Sequence, residues 1–129
     1  MHYEVRWQKA WESLDSCRQT KQFLPKVGVT QRKRLIQKSR GEINLILQAF
    51  TGHALVAHHL MQWHEGVEDQ CALCLEDEES THHLWRECPA LEMTRRESIL
   101  KRDIFEKVLS FFKSPTLRRL FETRASEIQ

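Results

Sequence analysis

The sequence predicts an all-α protein, a small helical domain with a Cys-Cys-His-Cys zinc knuckle inserted between helices. Three observations lead there. Only four Gly and three Pro occur among 129 residues, so few backbone breakers interrupt the abundant Leu, Lys, Arg, Glu and Gln, which favour helix. Apolar residues recur at spacings of three and four, and little of the chain alternates with period two. One stretch, CALCLEDEESTHHLWRECP at 71–89, gathers four metal-ligating side chains. With 40% hydrophobic residues the chain is long enough to bury a core. Residues 1–129 are expected to form one domain: N-terminal helices over 1–66 with a basic segment at 26–40, the knuckle at 67–90, and C-terminal helices at 91–125.

From Tyr3 to about Thr20, the residues Tyr3, Trp7, Ala10, Trp11, Leu14 and Cys17 lie on one helical stripe. Trp7 and Trp11 read as core or docking residues, and Cys17 as a buried, inert thiol. Phe23 to Val29, containing Pro25 and Gly28, reads as a linker or turn. Thr30 is placed as the N-cap of a long helix whose buried face is Leu35, Ile36, Ile43, Ile46, Leu47 and Phe50.

Arg32, Lys33, Arg34, Lys38 and Arg40 fall in the first half of that long helix. Positive charge near a helix N-terminus opposes the macrodipole, a local cost that points to phosphate contacts. A solvated face paired with the acidic run Glu76, Asp77, Glu78 and Glu79 accounts for the same residues. Gly52 follows as a helix C′ residue. A further helix is expected from His53 to His64, burying Leu55, Val56, Leu60 and Trp63. His53, His58, His59 and His64 lack a cysteine or carboxylate at ligand spacing, so capping and surface roles fit them better than a second metal site.

Cys71, Cys74, His83 and Cys88 stand at C-x2-C-x8-H-x4-C. Zinc takes four tetrahedral N or S ligands, and two cysteines separated by two residues chelate one ion from a single turn. The second pair is expected on a short helix between Ser80, an N-cap residue, and Pro89, with an end that unwinds to bring Cys88 back. His82 and His83 point about 100° apart on a helix. His83 is favoured as the ligand, with Leu84 and Trp85 covering the site and His82 nearer solvent. Four protein ligands make a closed, structural site. Leu75 occupies the position after the second cysteine, where glycine eases a left-handed turn, so a wider turn is expected.

Beyond the knuckle, a helix is expected from Leu91 to about Lys101. Asp103 with Glu106 resembles a capping box for Ile104 to Phe112, with Phe105, Val108, Leu109 and Phe112 in the core. Ser114-Pro115 opens a last helix carrying Leu117, Leu120 and Phe121.

Several function classes lack their residues. No apolar run approaches the roughly 20 residues needed to cross a bilayer. There is no glycine-rich phosphate loop, no Gly-x-Ser-x-Gly elbow, no His-Glu-x-x-His, and no carboxylate set for two magnesium ions. A ββα-metal nuclease also shows a CxxC and paired histidines, but it needs strands and a downstream Asn or His that do not follow His83. The expectation is therefore a non-enzymatic protein. One CxxC, a lone Cys17 and no signal peptide fit a reducing compartment, intracellular and either nuclear or cytoplasmic.

The formal net charge of +2 is unevenly spread: residues 1–50 carry +6, residues 51–90 carry −7 and residues 91–129 carry +3. A basic N-terminal half suits phosphate binding by counterion release, whereas the acidic knuckle repels phosphates.

The segment TGHALVAHHL, then CALC, then EESTHHLWRECP and Arg95 or Arg96, resembles the C-terminal tail of non-LTR retrotransposon polyproteins, downstream of their reverse transcriptase and ribonuclease H domains. In that family a Thr-Gly-His motif precedes a CxxC, a Glu-Thr-x-x-His turn and a Cys-Pro. Thr51, Gly52 and His53 match the first motif, and Cys71 and Cys74 the second. Glu79, Ser80 and His83 match the turn with Ser replacing Thr, and Cys88-Pro89 closes it. Trp7 and Trp11 resemble the Trp-x3-Trp that often opens the tail. The motifs cover roughly residues 51–96.

The family's ribonuclease H carboxylates have no counterpart here. The resemblance thus implies a non-catalytic, Zn2+-bound module that associates with RNA or DNA, contacting phosphates through Arg32, Lys33, Arg34, Lys38 and Arg40, and that could meet other domains of a parent polyprotein. The competing expectation is a zinc-stabilised interaction or oligomerisation module anchored by Trp7, Trp11, Trp63 and Trp85, without nucleic-acid binding.

Overall fold

The computed structural model describes residues 2–127 apart from 17, 64, 65 and 67. It is all-α. Eight helices are described: α1 (His2–Ser13), α2 (Arg18–Phe23), α3 (Val29–Ile36), α4 (Arg40–Thr51), α5 (Ala57–Leu60), α6 (Glu92–Ser98), α7 (Ile104–Phe112) and α8 (Pro115–Glu127). A π-helical turn (His83–Glu87) and a 3-10 turn (Pro89–Leu91) lead into α6. Among the described residues there is no strand, only one isolated antiparallel bridge between Gln70 and Glu78.

Two of the expected long helices are divided. The first ends at Ser13 and a second begins at Arg18; Cys17 lies outside the described residues. The expected helix from Thr30 breaks at residues 37–39. Ser39 starts a new helix with a complete capping box: its hydroxyl accepts from the Glu42 N–H, and the Glu42 carboxylate accepts from the Ser39 N–H. The reciprocal cap outweighs the apolar periodicity that runs through it, and the break resets the helical phase. Ile36 and Leu47 consequently face solvent, while Ile46, Ala49 and Phe50 are buried.

Gly52 ends α4 in the left-handed conformation, with φ 75°, as expected of a C′ glycine. The helix expected over 53–64 shrinks to the four residues of α5, and Trp63 is 73% exposed. Ala54, Val56, Ala57 and Leu60 are the residues buried there. His64 lies outside the described residues. Phe23 is buried, so the segment expected as a linker contributes its first residue to the core.

Downstream the local signals hold. The Asp103 carboxylate accepts from the Glu106 N–H at 3.0 Å, one of the two hydrogen bonds of the expected capping box, and starts α7. Pro115 opens α8, where it lacks only an N–H that would be unpaired. α4 packs on α2 and α7, and α7 packs on α6 and α8. Between them lies an aromatic core: Phe23 stacks on Phe50 at 5.2 Å, and Trp85 meets Phe23 at 5.2 Å and the edge of Phe111 at 5.1 Å. Trp85 carries this core directly into the segment that bears His83 and Cys88.

Candidate metal centre and basic surface

Cys71 and Cys74 sit on a tight hairpin. Its base is closed by Cys71 N–H donating to the Asp77 carbonyl and Glu79 N–H donating to the Asp69 carbonyl, both at 2.7 Å. Its tip is closed by the Leu75 N–H donating to the Cys71 carbonyl at 2.9 Å. The turn is not widened to accommodate Leu75. Leu75 itself takes the left-handed conformation, φ 61°, and is largely exposed.

The second ligand pair lies on the turn after Ser80, whose hydroxyl accepts from the His83 N–H at 3.0 Å. His83 and Cys88 are five residues apart, and on an α-helix such positions point about 140° from each other. Here the chain widens into the π-helical turn, and the Cys88 N–H donates to the His83 carbonyl at 2.7 Å. That one-residue expansion brings both side chains to the same side. Single π-turns of this kind are frequent at functional sites. Leu84 and Trp85 are buried beside it. His82 faces the other way, with Nε2 3.2 Å from the exposed carboxylate of Glu87.

The four ligand atoms of Cys71, Cys74, His83 and Cys88 all lie within 4.8 Å of one another. The Cys71 and Cys88 sulfurs are 3.9 Å apart, and the Cys74 sulfur is 3.4 Å from His83 Nε2. A tetrahedral ion with bonds of about 2.3 Å to sulfur and about 2.0 Å to imidazole nitrogen would have edges of about 3.8 and 3.5 Å. These two separations match the edges of such an ion's shell, and 3.9 Å is nearly twice the sulfur–sulfur length of a disulfide.

Electrostatics divides the thiols. Backbone N–H groups of Asp77 and Glu76 donate to Cys74, aided by His83, and hold its thiol down to about 6. Burial pushes the Cys71 thiol up, and pushes Cys88 up to about 12. Cys71, His83 and Cys88 are nearly inaccessible, whereas Cys74 is partly exposed. The group could hold a metal ion, with all four positions supplied by protein.

Two supporting residues carry more of this site than the sequence suggests. Arg95 donates from Nε to the Trp85 carbonyl at 2.8 Å and from one terminal nitrogen to the carbonyls of Leu84 and Cys88 at 3.1 and 2.8 Å. A cation thus caps the carbonyls left open where the π-helical turn ends. Arg96, the other candidate, pairs at the surface with Glu92.

Glu79 is the second. It was expected in a solvated acidic run, yet it is fully buried. Its carboxylate accepts from the backbone N–H groups of Ala57 at 2.6 Å and Ala72 at 3.0 Å, and from the guanidinium of Arg124. Its neighbours Glu76, Asp77 and Glu78 are exposed, as expected of the run.

The predicted phosphate-contacting residues are divided between α3, the turn after it and α4. Arg32, Lys33 and Arg34 are exposed on α3, while Lys38 lies 3.9 Å from Glu106. Arg40 is exposed in the first turn of α4. Because α3 ends at Ile36, Lys33 and Arg34 occupy its last turn, where the helix dipole favours cations. The expected conflict with the dipole is therefore removed for these two residues. None of Arg32, Lys33, Arg34 or Arg40 forms an ion pair among the described residues, with the acidic run or otherwise.

Of the tryptophans, Trp85 is core. Trp7 is half exposed, and Trp11 donates its indole N–H to the Leu24 carbonyl at 2.7 Å. Trp7 and Trp11 of α1, with Leu14 just after it, face Leu35, Leu47 and Phe50 across an apolar cleft of about 570 Å³. The rings of His53 and His59 stack at 4.8 Å, and the side chain of His58 lies outside the described ones. Among the described residues, no helix is long and apolar enough to cross a membrane. No protein-family model, curated protein or solved structure matches the chain.

Proposed function

We propose that this chain is a non-catalytic module in which zinc staples a ligand-bearing hairpin to a helical core, and whose basic surface binds RNA or DNA. The tetrahedral spacing of Cys71, Cys74, His83 and Cys88 supports the metal part. Three thiolates and one imidazole, with no position left for substrate, suit structural zinc. Such sites supply folding free energy on the order of 10 kcal/mol in small fingers.

The observation that carries the nucleic-acid part is the exposed cluster Arg32, Lys33 and Arg34, free of ion pairs among the described residues. Unneutralised surface cations release counterions from a phosphate backbone. The exposed Glu76, Asp77 and Glu78 keep the hairpin itself away from that backbone. The order Thr51-Gly52-His53, Cys71-x2-Cys74, Glu79-Ser80-x2-His83 and Cys88-Pro89 supports placing the module in a retroelement-type protein, where other domains of the polyprotein would be its partners.

The test is binding of zinc-loaded protein to labelled RNA and duplex DNA across a salt series. Binding with a log–log slope of roughly −3 to −4 on a single strand corresponds to about five phosphate contacts. Replacing Arg32, Lys33 and Arg34 by Ala should abolish it. The apolar cleft between α1 and α4 favours a second reading, a protein interaction module. Absence of nucleic-acid binding even at low salt would select it.

A further inference from the structure

The ligand-bearing segment adds a cation to the basic surface that sequence order conceals. Arg86 lies on the π-helical turn, within a segment of net charge −7, and its side chain is exposed. It lines an open depression of about 320 Å³ together with Lys26, from the turn before α3, and Arg34 of α3. The floor is apolar, formed by Phe23, Pro25 and Ile104. Arg86 and Ile104 also line an adjoining depression of about 200 Å³ that has Lys107 on its wall.

No carboxylate lines either depression, and Lys26, Arg34, Arg86 and Lys107 form no ion pair among the described residues. Like charges gathered without a counterion repel each other, and a bound anion relieves that repulsion. Gln31, which lines both the larger depression and the apolar cleft between α1 and α4, adds an uncharged polar side chain beside the arginines.

We propose that Lys26, Arg34 and Arg86 form a phosphoryl-binding site, which takes a phosphodiester of the nucleic-acid strand if the reading under Proposed function holds. The planar guanidinium groups of Arg34 and Arg86 suit bidentate contact with phosphate oxygens, while Lys26 adds a point charge. The site joins the metal centre to the basic surface, because the turn that sets His83 and Cys88 also places Arg86.

The experiment compares the zinc-loaded wild-type protein with Arg86→Gln and with an Arg32→Gln/Lys33→Gln control. Each is titrated with a labelled single-stranded RNA over a salt series, and separately with inorganic phosphate followed by arginine side-chain NMR. The Arg86 side chain makes no hydrogen bond to the rest of the protein among the described residues, so its variant should keep zinc stoichiometry and helical signal. The expected result is a loss of about tenfold or more in RNA affinity for Arg86→Gln, with a salt slope shallower by about 0.7, and phosphate-dependent arginine shifts that the variant loses.

RNA binding that is unchanged in Arg86→Gln would overturn the site and leave the nucleic-acid reading standing. Arg86-dependent phosphate shifts without any RNA binding would support the site and overturn that reading. If neither ligand binds, both fall.

Discussion

Glu79 and Arg124 are joined by a two-pronged ion pair that spans 45 residues and ties the metal-ligand hairpin to the last helix. Glu79 is fully buried and also accepts from the Ala57 and Ala72 N–H groups, while Arg124, 14% exposed, also donates to the Leu55 carbonyl. Removing one partner of such a pair strands a charge in a dry site. Glu79→Ala is expected to destabilise the zinc-loaded protein by about 3–5 kcal/mol, and Arg124→Ala by a similar amount. Urea unfolding of the single variants and of the double variant checks this, and the double should cost much less than the sum of the singles.

Arg95 supports the site from behind. Arg95→Met keeps the aliphatic stem but leaves the carbonyls of Leu84, Trp85 and Cys88 without their donor. Lost outer-shell support of this kind typically costs 10–100-fold in metal affinity. Competition with a chromophoric chelator should show a loss in that range, whereas Arg96→Met, altering a surface pair with Glu92, should bind metal as the wild type does.

Leu75 holds a backbone conformation that costs a residue bearing a Cβ roughly 1–2 kcal/mol. Leu75→Gly removes that strain at the expense of some unfolded-state entropy. With an exposed side chain and little packing to lose, the variant is expected to gain about 0.5–1 kcal/mol, read as a higher midpoint in thermal unfolding. A lower midpoint would show that the side chain contributes packing its exposure does not suggest.

Metal affinity should depend steeply on pH. Near pH 7.5 Cys74, held to about 6, is mostly thiolate, whereas Cys71 and Cys88 are protonated. Loading an ion onto three thiolates then releases about two protons. Affinity is expected to fall about 100-fold per unit as pH drops from 8 to 7, and faster below about 6 as Cys74 also gains a proton. Calorimetry in buffers of different ionisation enthalpy measures the proton count.

The metal-free protein moves in the opposite direction with alkali. Burial raises the Cys88 thiol from 9.0 to about 12, so its neutral form contributes stability that is present below pH 9 and lost as pH rises from 9 towards 12. Chelator-treated protein should unfold more readily at pH 10.5 than at pH 8, and Cys88→Ala should flatten that dependence.

Where a feature depends on neighbours in the chain, the sequence reads well. The gathering of Cys71, Cys74, His83 and Cys88, the placement of His83 rather than His82 among them, the Gly52 terminus, the Asp103 cap and the Pro115 start all follow from spacing within about one helical turn or one hairpin. Features selected by tertiary contact do not. Glu79 is indistinguishable in sequence from Glu76, Asp77 and Glu78, and only its distance from Arg124 in space makes it a buried anchor.

The break before α4 is a different case. Ser39 and Glu42 spell a capping box, but the apolar residues on either side keep a helical period and mask it. Trp63 and Ile36 fit that period as inward residues, but the helices end before the period does, and both face solvent. Arg86 was hidden by the acidic residues around it, since charge counted along the chain says little about charge gathered on a surface.

The π-helical turn over 83–87 makes the metal centre sensitive to length as well as to composition. Deleting one residue between His83 and Cys88 would let the turn relax to ordinary α-helical winding, where positions four apart still lie about 40° from each other on one face, but it would shift Trp85 or Arg95's carbonyl partners out of register. Lengthening it by one would carry Cys88 past the ion. The arrangement can therefore be lost by an insertion that leaves Cys71, Cys74, His83 and Cys88 all in place.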